Sequence, residues 1–128
     1  GNDYSTPDGT CIRDYIHILD ICDAIEKSIK YLNADNKSRI FNIGNNKGLS
    51  NKEIINHIKK FINPKINISY VKRRKGDVSK LVCSQIKVKN ILNWKPKHSS
   101  LKDIVNDELI WVKKLKRIGL KRRFKNYL

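Results

Sequence analysis

Methionine is absent from the sequence: none of its 128 residues is Met. A newly translated protein begins with methionine, whereas this sequence opens on Gly-Asn-Asp-Tyr, which is typical of the middle of a loop. We therefore expect the chain to be a piece of a longer protein, or a processed or truncated chain. Its length allows one domain with a modest core.

Cysteine is scarce, and long apolar runs are missing. The three cysteines, Cys11, Cys22 and Cys83, are odd in number, far apart and without C-x-x-C spacing. This pattern argues against a disulfide framework and a zinc site, and it is typical of a reducing cytoplasm, with the thiols as small buried apolar groups. Since no signal-peptide pattern or long apolar run is present, we predict no membrane partner and a cytoplasmic location.

Acidic residues are outnumbered by basic ones, 12 against 28, and the net charge is +16. This balance suggests a polyanionic partner or an anionic substrate. The positive charge is spread along the chain, however, and is dense only at 73–75 and in the basic tail at 121–125. Heavy use of Ile, Lys and Asn is also expected of an A/T-rich genome. Composition alone therefore does not require a nucleic-acid partner.

Aromatic residues are few, at 8% of the chain. Proteins that bind single-stranded nucleic acid present exposed rings on a basic face. We expect four of the rings at core positions instead: Phe41, Phe61, Trp94 and Trp111. A basic nucleic-acid-binding module is thus a distant alternative, and we predict no nucleic-acid partner.

The recurrent motifs of catalysis and cofactor binding are missing as well. The sequence contains no G-x-S-x-G, no H-E-x-x-H, no Walker loop and no G-x-x-G-x-x-G fingerprint, and no tyrosine is followed four residues later by lysine. The glycine loop at 44–48 lacks phosphate-cradle spacing, and we interpret it as a plain turn. We predict no catalytic residue, no cofactor-binding residue and no metal ligand in this chain.

The apolar pattern predicts alternating strands and helices. Period-2 alternation indicates strands at 12–18, 39–44 and 66–71, and helical spacing indicates helices at 20–32, from 50 to 62, from 84 to 92 and from 99 or 100 to 115. Asp20, Ser50 and Ser84 are predicted N-caps, with Ser50 in a capping box with Glu53. The first helix is expected to be amphipathic, with an apolar stripe of Ile21, Ala24, Ile25, Ile29 and Leu32. This order of elements predicts an α/β or α+β fold.

Two stretches carry charges suited to a ligand. Arg13 and Asp14 point to opposite faces of the first strand, so Arg13 can serve a ligand while Asp14 serves the fold. A basic turn, residues 73–77, follows the third predicted strand. Its arginines offer planar forks for phosphate oxygens, Gly76 permits a tight turn, and Asp77 can accept hydrogen bonds from hydroxyls. A solvated basic turn is the alternative.

Four motifs stand in a recognisable order and spacing: D-Y-S-T-P-D-G-T-C-I-R-D-Y-I-H from 3 to 17, F-N-I-G at 41–44, R-R-K-G-D at 73–77 and L-N-W-K-P at 92–96. Together they resemble the C-terminal portion of bacterial UDP-glucose 4-epimerases (UDP-galactose 4-epimerases). This family belongs to the extended short-chain dehydrogenases/reductases. The resemblance covers essentially the whole chain.

The resemblance implies an α/β fold: the last strands of a Rossmann-type parallel sheet plus a small α/β substrate-binding domain. Residues 1–128 would be the C-terminal substrate-binding segment. A Rossmann domain outside this chain would bind NAD, supply the catalytic Tyr and Lys, and carry the homodimer contact. The implied activity of the whole enzyme is isomerisation of UDP-glucose and UDP-galactose, with the C4 hydride removed to NAD and returned to the other face. A related dehydratase, decarboxylase or N-acetylated-sugar epimerase is the alternative.

The resemblance also implies a set of substrate-binding residues: Arg13, Arg74, Lys75, Gly76 and Asp77. Arg13 and Arg74 would grip the diphosphate, and Asp77 would accept a hydrogen bond from the uridine ribose. Gly76 forms the turn between them. Arg73 and Lys75 look more like solvated neighbours.

Two expectations concern departures and stability. Leu81 stands where some family members have an aromatic residue that contacts substrate. Segments 12–18 and 39–44 are predicted strands of a sheet whose other strands lie outside this chain. We therefore expect the isolated chain to be only marginally stable.

Overall fold

The structure is a computed structural model that describes residues 1–35 and 37–119. The elements follow one another as strand, helix, strand, helix, strand, helix, helix, as predicted by type, but the second and third strands are not the predicted ones. The bounds are β1 Ile12–Asp14, α1 Ile18–Asp35, β2 Gly48–Ser50, α2 Asn51–Phe61, β3 Lys80–Leu81, α3 Ile86–Leu92 and α4 Leu101–Arg117. The α/β class is confirmed, and the basic tail at 121–125 lies outside the described residues.

The three strands form one mixed sheet in the order β2-β1-β3. β1 is central: Arg13 pairs antiparallel with Leu49 of β2 and parallel with Leu81 of β3. β1 is shorter than the predicted strand at 12–18, and β2 and β3 were not predicted as strands. The sheet therefore places Arg13 at the middle of its central strand.

Two of the predicted strands, 39–44 and 66–71, are wrong: neither pairs with another strand among the described residues. Alternation indicates an extended, half-buried segment, but a strand also needs a hydrogen-bonded neighbour. Both segments expose apolar side chains, with Ile40 at 83% and Val71 at 71%. These segments have strand-like sequences, but within 1–35 and 37–119 they have no partner strand.

The start of α1 is set by His17 and not by the predicted N-cap, Asp20. The Leu19 N–H donates to His17 Nδ1 at 3.1 Å, while Nε2 faces Asp107 of α4 at 3.1 Å. Asp20 is buried and accepts hydrogen bonds from the N–H groups of Lys97 and His98. The Asp20 carboxylate therefore holds the loop before α4 against α1, and His17 has a structural role.

The core is small and lies between α1, α3 and the segment after α3. Its buried members are Ala24, Val88, Leu92 and Trp94. Trp94 is fully buried, and its Nε1–H donates to the Asp20 carbonyl at 3.2 Å. These contacts join the first helix to the L-N-W-K-P motif.

Several residues expected in the core are exposed. The predicted stripe of α1 is one case, since Ile25, Ile29 and Leu32 point to solvent and only Ala24 is buried. Phe61 and Trp111 are 64% and 46% exposed, against the prediction. Cys22 is exposed too, although all three cysteines are free as expected. Burial of α1 is set by the narrower Asp20–Ala24–Tyr31 side, which the apolar pattern does not single out.

Helix capping agrees with the sequence at α2 and α4. Ser50 accepts a hydrogen bond from the Glu53 N–H, and the Glu53 carboxylate accepts one from the Ser50 N–H, which completes the capping box. Ser100 caps α4 by accepting from the Asp103 N–H. The predicted cap Ser84 is wrong by one residue, since Gln85 occupies that position without a side-chain cap. Among the described residues, no helix has the length and apolar character needed to cross a membrane.

Candidate functional site

Within the basic turn, residues 74–77 form a tight turn closed by the Asp77 N–H, which donates to the Arg74 carbonyl at 3.2 Å. Gly76 occupies its third position with a φ of +81°. A positive φ there is what a type II turn requires, and glycine adopts it without strain. Nothing lies within 4 Å of a Cβ added at Gly76, so the backbone angle alone requires glycine. The predicted role of Gly76 in the turn is confirmed.

The turn brings Asp77 to Arg13, 64 residues earlier in the chain. Arg13 Nη2 donates to Asp77 Oδ1 at 2.5 Å, and Arg13 Nη1 donates to the Ile12 carbonyl at 2.8 Å. Both side chains are about four-fifths buried, with exposures of 22% and 19%. These bonds use two of the five guanidinium donors. The sequence predicted both residues as ligand contacts but not their mutual ion pair.

Tyr4 is a third member of this cluster, and the sequence analysis missed it. Its hydroxyl donates to Asp77 Oδ2 at 2.8 Å, and the residue is buried. This hydrogen bond, reinforced by Arg13, lowers the pKa of Asp77 below its ordinary value and raises that of Tyr4. Asp77 is therefore held as a carboxylate by one donor on each oxygen. The available signal was a single aromatic ring in an otherwise polar loop.

Arg74 and Lys75 extend the positive charge of the cluster into solvent. Arg74 lies 3.9 Å from Asp77 Oδ2, and its side chain is 90% exposed. Lys75 is exposed as well. Neither cation is consumed by a close ion pair in the described structure, so both can approach an anion. Their assignment to substrate stays a prediction.

Arg73 is exposed, as the sequence suggested, but it also contacts the N-terminal loop. Its Nε donates to Asp3 at 2.8 Å, and its guanidinium lies 4.1 Å above the Tyr4 ring. The cation–π contact and the ion pair lock the basic turn onto the N-terminal loop. An open cleft of about 440 Å³ lies beside this contact, between residues 1–3 and 70–73.

Asp14 lies on the other side of β1 and has a structural role, as predicted. Its carboxylate accepts hydrogen bonds from the N–H groups of Asn45 at 2.7 Å, Asn46 at 3.3 Å and Cys83 at 3.1 Å. Two amides of the glycine loop, those of Asn45 and Asn46, are thus already used, which supports a plain turn over a phosphate cradle. A Cβ on Gly44 would come within 2.4 Å of the same carboxylate, so only glycine fits there.

The arrangement is suited to binding rather than to proton transfer. Guanidinium groups bind phosphate oxygens with paired donors, and a carboxylate accepts from hydroxyls through its remaining lone pairs. The described residues contain no group of three or more His, Cys, Asp or Glu side chains able to hold a metal ion. The cluster of Tyr4, Arg13, Arg74 and Asp77 can therefore recognise a ligand that carries both anionic and hydroxyl groups.

Comparison with known proteins places this chain in a family. The family model described as GDP-mannose 4,6 dehydratase matches residues 1–107. A curated relative, the UDP-glucose 4-epimerase of Lacticaseibacillus casei, is 43% identical over 111 residues, which are 87% of this chain and 34% of the relative. The chain thus spans about a third of the length of the curated relative.

Solved structures agree with the sequence comparison. A UDP-glucose 4-epimerase from Stenotrophomonas maltophila, with bound NAD and formylated UDP-arabinopyranose, matches at a TM-score of 0.86 and 30% identity, over 92% of this chain and 35% of that one. A UDP-glucose 4-epimerase from Bifidobacterium longum, in complex with NAD+ and UDP, matches at a TM-score of 0.78 and 30% identity, over 89% and 33%. Both comparisons show the chain to be similar to one part of larger epimerases.

Proposed function

Since the chain belongs to the extended short-chain dehydrogenase/reductase family, through the GDP-mannose 4,6 dehydratase model, we propose that it is the UDP-sugar-binding C-terminal part of an NAD-dependent UDP-glucose 4-epimerase. One observation carries this proposal: Arg13 meets Arg74 and Asp77 although it lies about 60 residues before them in the sequence. Curated relatives at 36–43% identity are 4-epimerases, which does not favour a dehydratase or decarboxylase.

In this proposal the convergent residues bind different parts of the nucleotide. Arg13 is held from behind by Asp77 and the Ile12 carbonyl, so its remaining N–H donors are oriented for the diphosphate. Arg74 supplies a second, exposed guanidinium on the same turn. Asp77 accepts a hydrogen bond from the ribose. Lys75 adds charge, and Gly76 shapes the turn.

NAD does not fit the residues of this chain. The sequence has no dinucleotide fingerprint, and two amides of its glycine loop are hydrogen bonded to Asp14. We assign NAD binding, the catalytic Tyr and Lys, and the homodimer contact to an N-terminal domain of the whole enzyme. Within this chain the residues bind and orient the nucleotide while the sugar reacts elsewhere.

The outer face of α1 supports the proposal of a separate N-terminal domain. Ile18, Cys22, Ile25, Ile29 and Leu32 recur at spacings of four and three and are all exposed. An apolar stripe of this length on a helix is normally packed against another element. The unpaired segment 39–43 also exposes Ile40. We propose that both surfaces pack against the N-terminal domain.

Titration of the chain with UDP by isothermal calorimetry tests the nucleotide site. We expect binding in the micromolar-to-millimolar range and a loss of about tenfold, or 1.4 kcal/mol, for Arg74→Ala, because one charge-assisted contact is removed. Lys102→Ala is the matched control, since it removes one exposed positive charge from α4. Absence of UDP binding by a folded chain, or an equal loss in both variants, contradicts the proposal.

Complementation tests the α1 surface. The remaining part of the Lacticaseibacillus casei relative, produced as a separate polypeptide, is expected to co-elute with this chain in size-exclusion chromatography. Ile25→Lys with Ile29→Lys should prevent co-elution, because two charges would enter an apolar interface. Ile110→Lys on α4 is the control, since Ile110 is equally exposed outside the α1 stripe. Co-elution of the double variant counts against this surface.

The cellular location of the whole enzyme is part of the same proposal. The three thiols of the chain are free, which is compatible with a reducing compartment. We propose a cytoplasmic location on this basis. Non-reducing electrophoresis of protein extracted with a thiol-blocking reagent checks it, since a disulfide on Cys22 would contradict the proposal.

A further inference from the structure

The second half of α4 and the tail after it differ from the rest of the chain in charge. From residue 109 to the end, the sequence contains Lys113, Lys114, Lys116, Arg117, Lys121, Arg122, Arg123 and Lys125, and no Asp or Glu. All the acidic residues stand before this point. The family model ends at residue 107, so the segment also lies outside the matched region. The proposed nucleotide site does not use it.

The helical part of this segment presents apolar and basic side chains together. Ile110 and Ile118 are 64% and 56% exposed, and Trp111 is 46% exposed. Ile110, Lys114 and Ile118 follow one another at i, i+4 spacing and share a face. Lys114 Nζ lies 5.9 Å from the centre of the Trp111 ring. The opposite side of the helix carries the half-buried residues Leu109, Val112 and Leu115.

The first half of α4 fixes the helix to the protein. Ser100 caps its N-terminus, and the Asp107 carboxylate faces His17 Nε2 at 3.1 Å. The second half of α4 therefore continues from a first half that is held by these contacts. The helix dipole accounts for cations in the last turn. It does not account for the exposed Trp and Ile side chains among them.

We propose that this face of α4, comprising Ile110, Trp111, Lys113, Lys114, Arg117 and Ile118, binds an anionic lipid surface peripherally. Lys and Arg attract anionic headgroups, while Trp and aliphatic side chains enter the interface between headgroups and acyl chains. A nucleic acid also attracts the cations, but it would gain nothing from Ile110 and Ile118, because strand binding uses rings for stacking. The earlier prediction of no membrane partner depended on the lack of a spanning segment, which peripheral binding does not need.

Co-sedimentation with vesicles tests the proposal. The chain should bind vesicles that contain phosphatidylserine and not vesicles of phosphatidylcholine alone. Lys113→Glu with Lys114→Glu should reduce the bound fraction at least about tenfold, since each charge near the surface contributes strongly. Lys59→Glu with Lys60→Glu is the matched control, because it makes the same charge change on α2 and should leave most binding intact.

Tryptophan fluorescence provides a second readout. Trp94 is fully buried and Trp111 is exposed, so lipid insertion should blue-shift the emission through Trp111 alone. The shift should vanish in Trp111→Phe while vesicle binding persists.

Three results would overturn the proposal: no preference for phosphatidylserine, an equal loss in the α2 control, or binding without a Trp111 shift. Binding of a single-stranded oligonucleotide through Lys113 and Lys114, with no vesicle binding, would assign the surface to nucleic acid instead.

Discussion

At the residue scale, the candidate site is organised by Asp77. Its two oxygens are held by Arg13 and Tyr4, and Tyr4 is in turn covered by Arg73. The bonds to Asp77 and to the Ile12 carbonyl thus fix the orientation of Arg13, the residue that we propose binds the diphosphate. A carboxylate paired in this way orients the guanidinium and also limits its motion, which favours recognition of a fixed phosphate geometry.

Removal of the Tyr4 hydroxyl should weaken this cluster. Tyr4→Phe keeps the ring beneath Arg73 but deprives Asp77 of a donor, so we expect a lower free energy of unfolding. Urea unfolding measures it. Tyr15→Phe is the control, because the Tyr15 hydroxyl donates to Asn51 at an exposed site. An equal effect of both variants would contradict the special role of Tyr4.

The pH dependence of stability should report Asp20. Burial opposes its ionisation, but hydrogen bonds from Lys97, Ser99 and His98 outweigh burial and lower its pKa below 3.8. The unfolded state therefore binds the proton more tightly, so this stabilisation is complete above about pH 4 and is lost as the pH falls through the folded-state pKa.

Thermal unfolding measured from about pH 7 to about pH 3 tests the direction of this pH dependence. Asp20→Asn should lower the melting temperature at neutral pH and flatten its fall in acid. Glu26→Gln should change little, since the Glu26–Lys30 pair is exposed. An unchanged acid slope in Asp20→Asn would show that other carboxyls control it.

At the element scale, local signals were reliable where a helix satisfies its own ends. The capping box of α2 and the N-cap of α4 were visible in the sequence, because a Ser and the third residue after it interact across one turn. The N-terminus of α1 was not visible, because its Asp20 is drawn to the loop at 97–99 by tertiary contacts. Strand bounds failed for the same reason.

The two serine caps should differ in their contribution to stability. Ser100→Ala should cost about 1 kcal/mol, the usual loss of an N-cap. Ser50→Ala should cost more, because Ser50 is buried and also donates to Asp8. The free energy of unfolding from urea titration of both variants checks this order. Equal losses, or a larger loss for Ser100→Ala, would contradict it.

At the scale of the whole molecule, many large apolar side chains are exposed to solvent. Among the described residues the buried apolar side chains are only Tyr4, Cys11, Ala24, Val88, Leu92 and Trp94. Exposed large apolar side chains outnumber them, on α1, α4 and the unpaired segments. Large exposed apolar patches mark interaction sites. The proposed N-terminal domain and lipid surface account for two of these faces.

The isolated chain should therefore be marginally stable. We expect a broad thermal transition by circular dichroism, because a small core offsets little conformational entropy. The transition should sharpen and move to higher temperature when the remaining part of the Lacticaseibacillus casei relative is present, because binding to the folded state stabilises it. A sharp, cooperative transition of the chain alone would contradict this expectation.

The sequence by itself determined the α/β class, the four helices, the helix caps of α2 and α4, the turn at Gly76 and the family. These features depend on residue types at short spacing, which act within one turn of chain or along one motif. Arg13 and Asp77 were identified by the same local chemistry, together with the family resemblance.

Only the tertiary structure decided the rest. Tertiary contacts pair Arg13 with Asp77 and add Tyr4 and Arg73 to the cluster. They also direct the Asp20 side chain to the loop at 97–98 instead of to the N-terminus of its own helix. The tertiary structure also turned the stripe of α1 and Trp111 outward. Each of these contacts joins residues distant in sequence, or depends on which neighbour covers a face. The identity of an apolar residue does not indicate which residues will cover it, because that depends on the fold of the chain or on another chain.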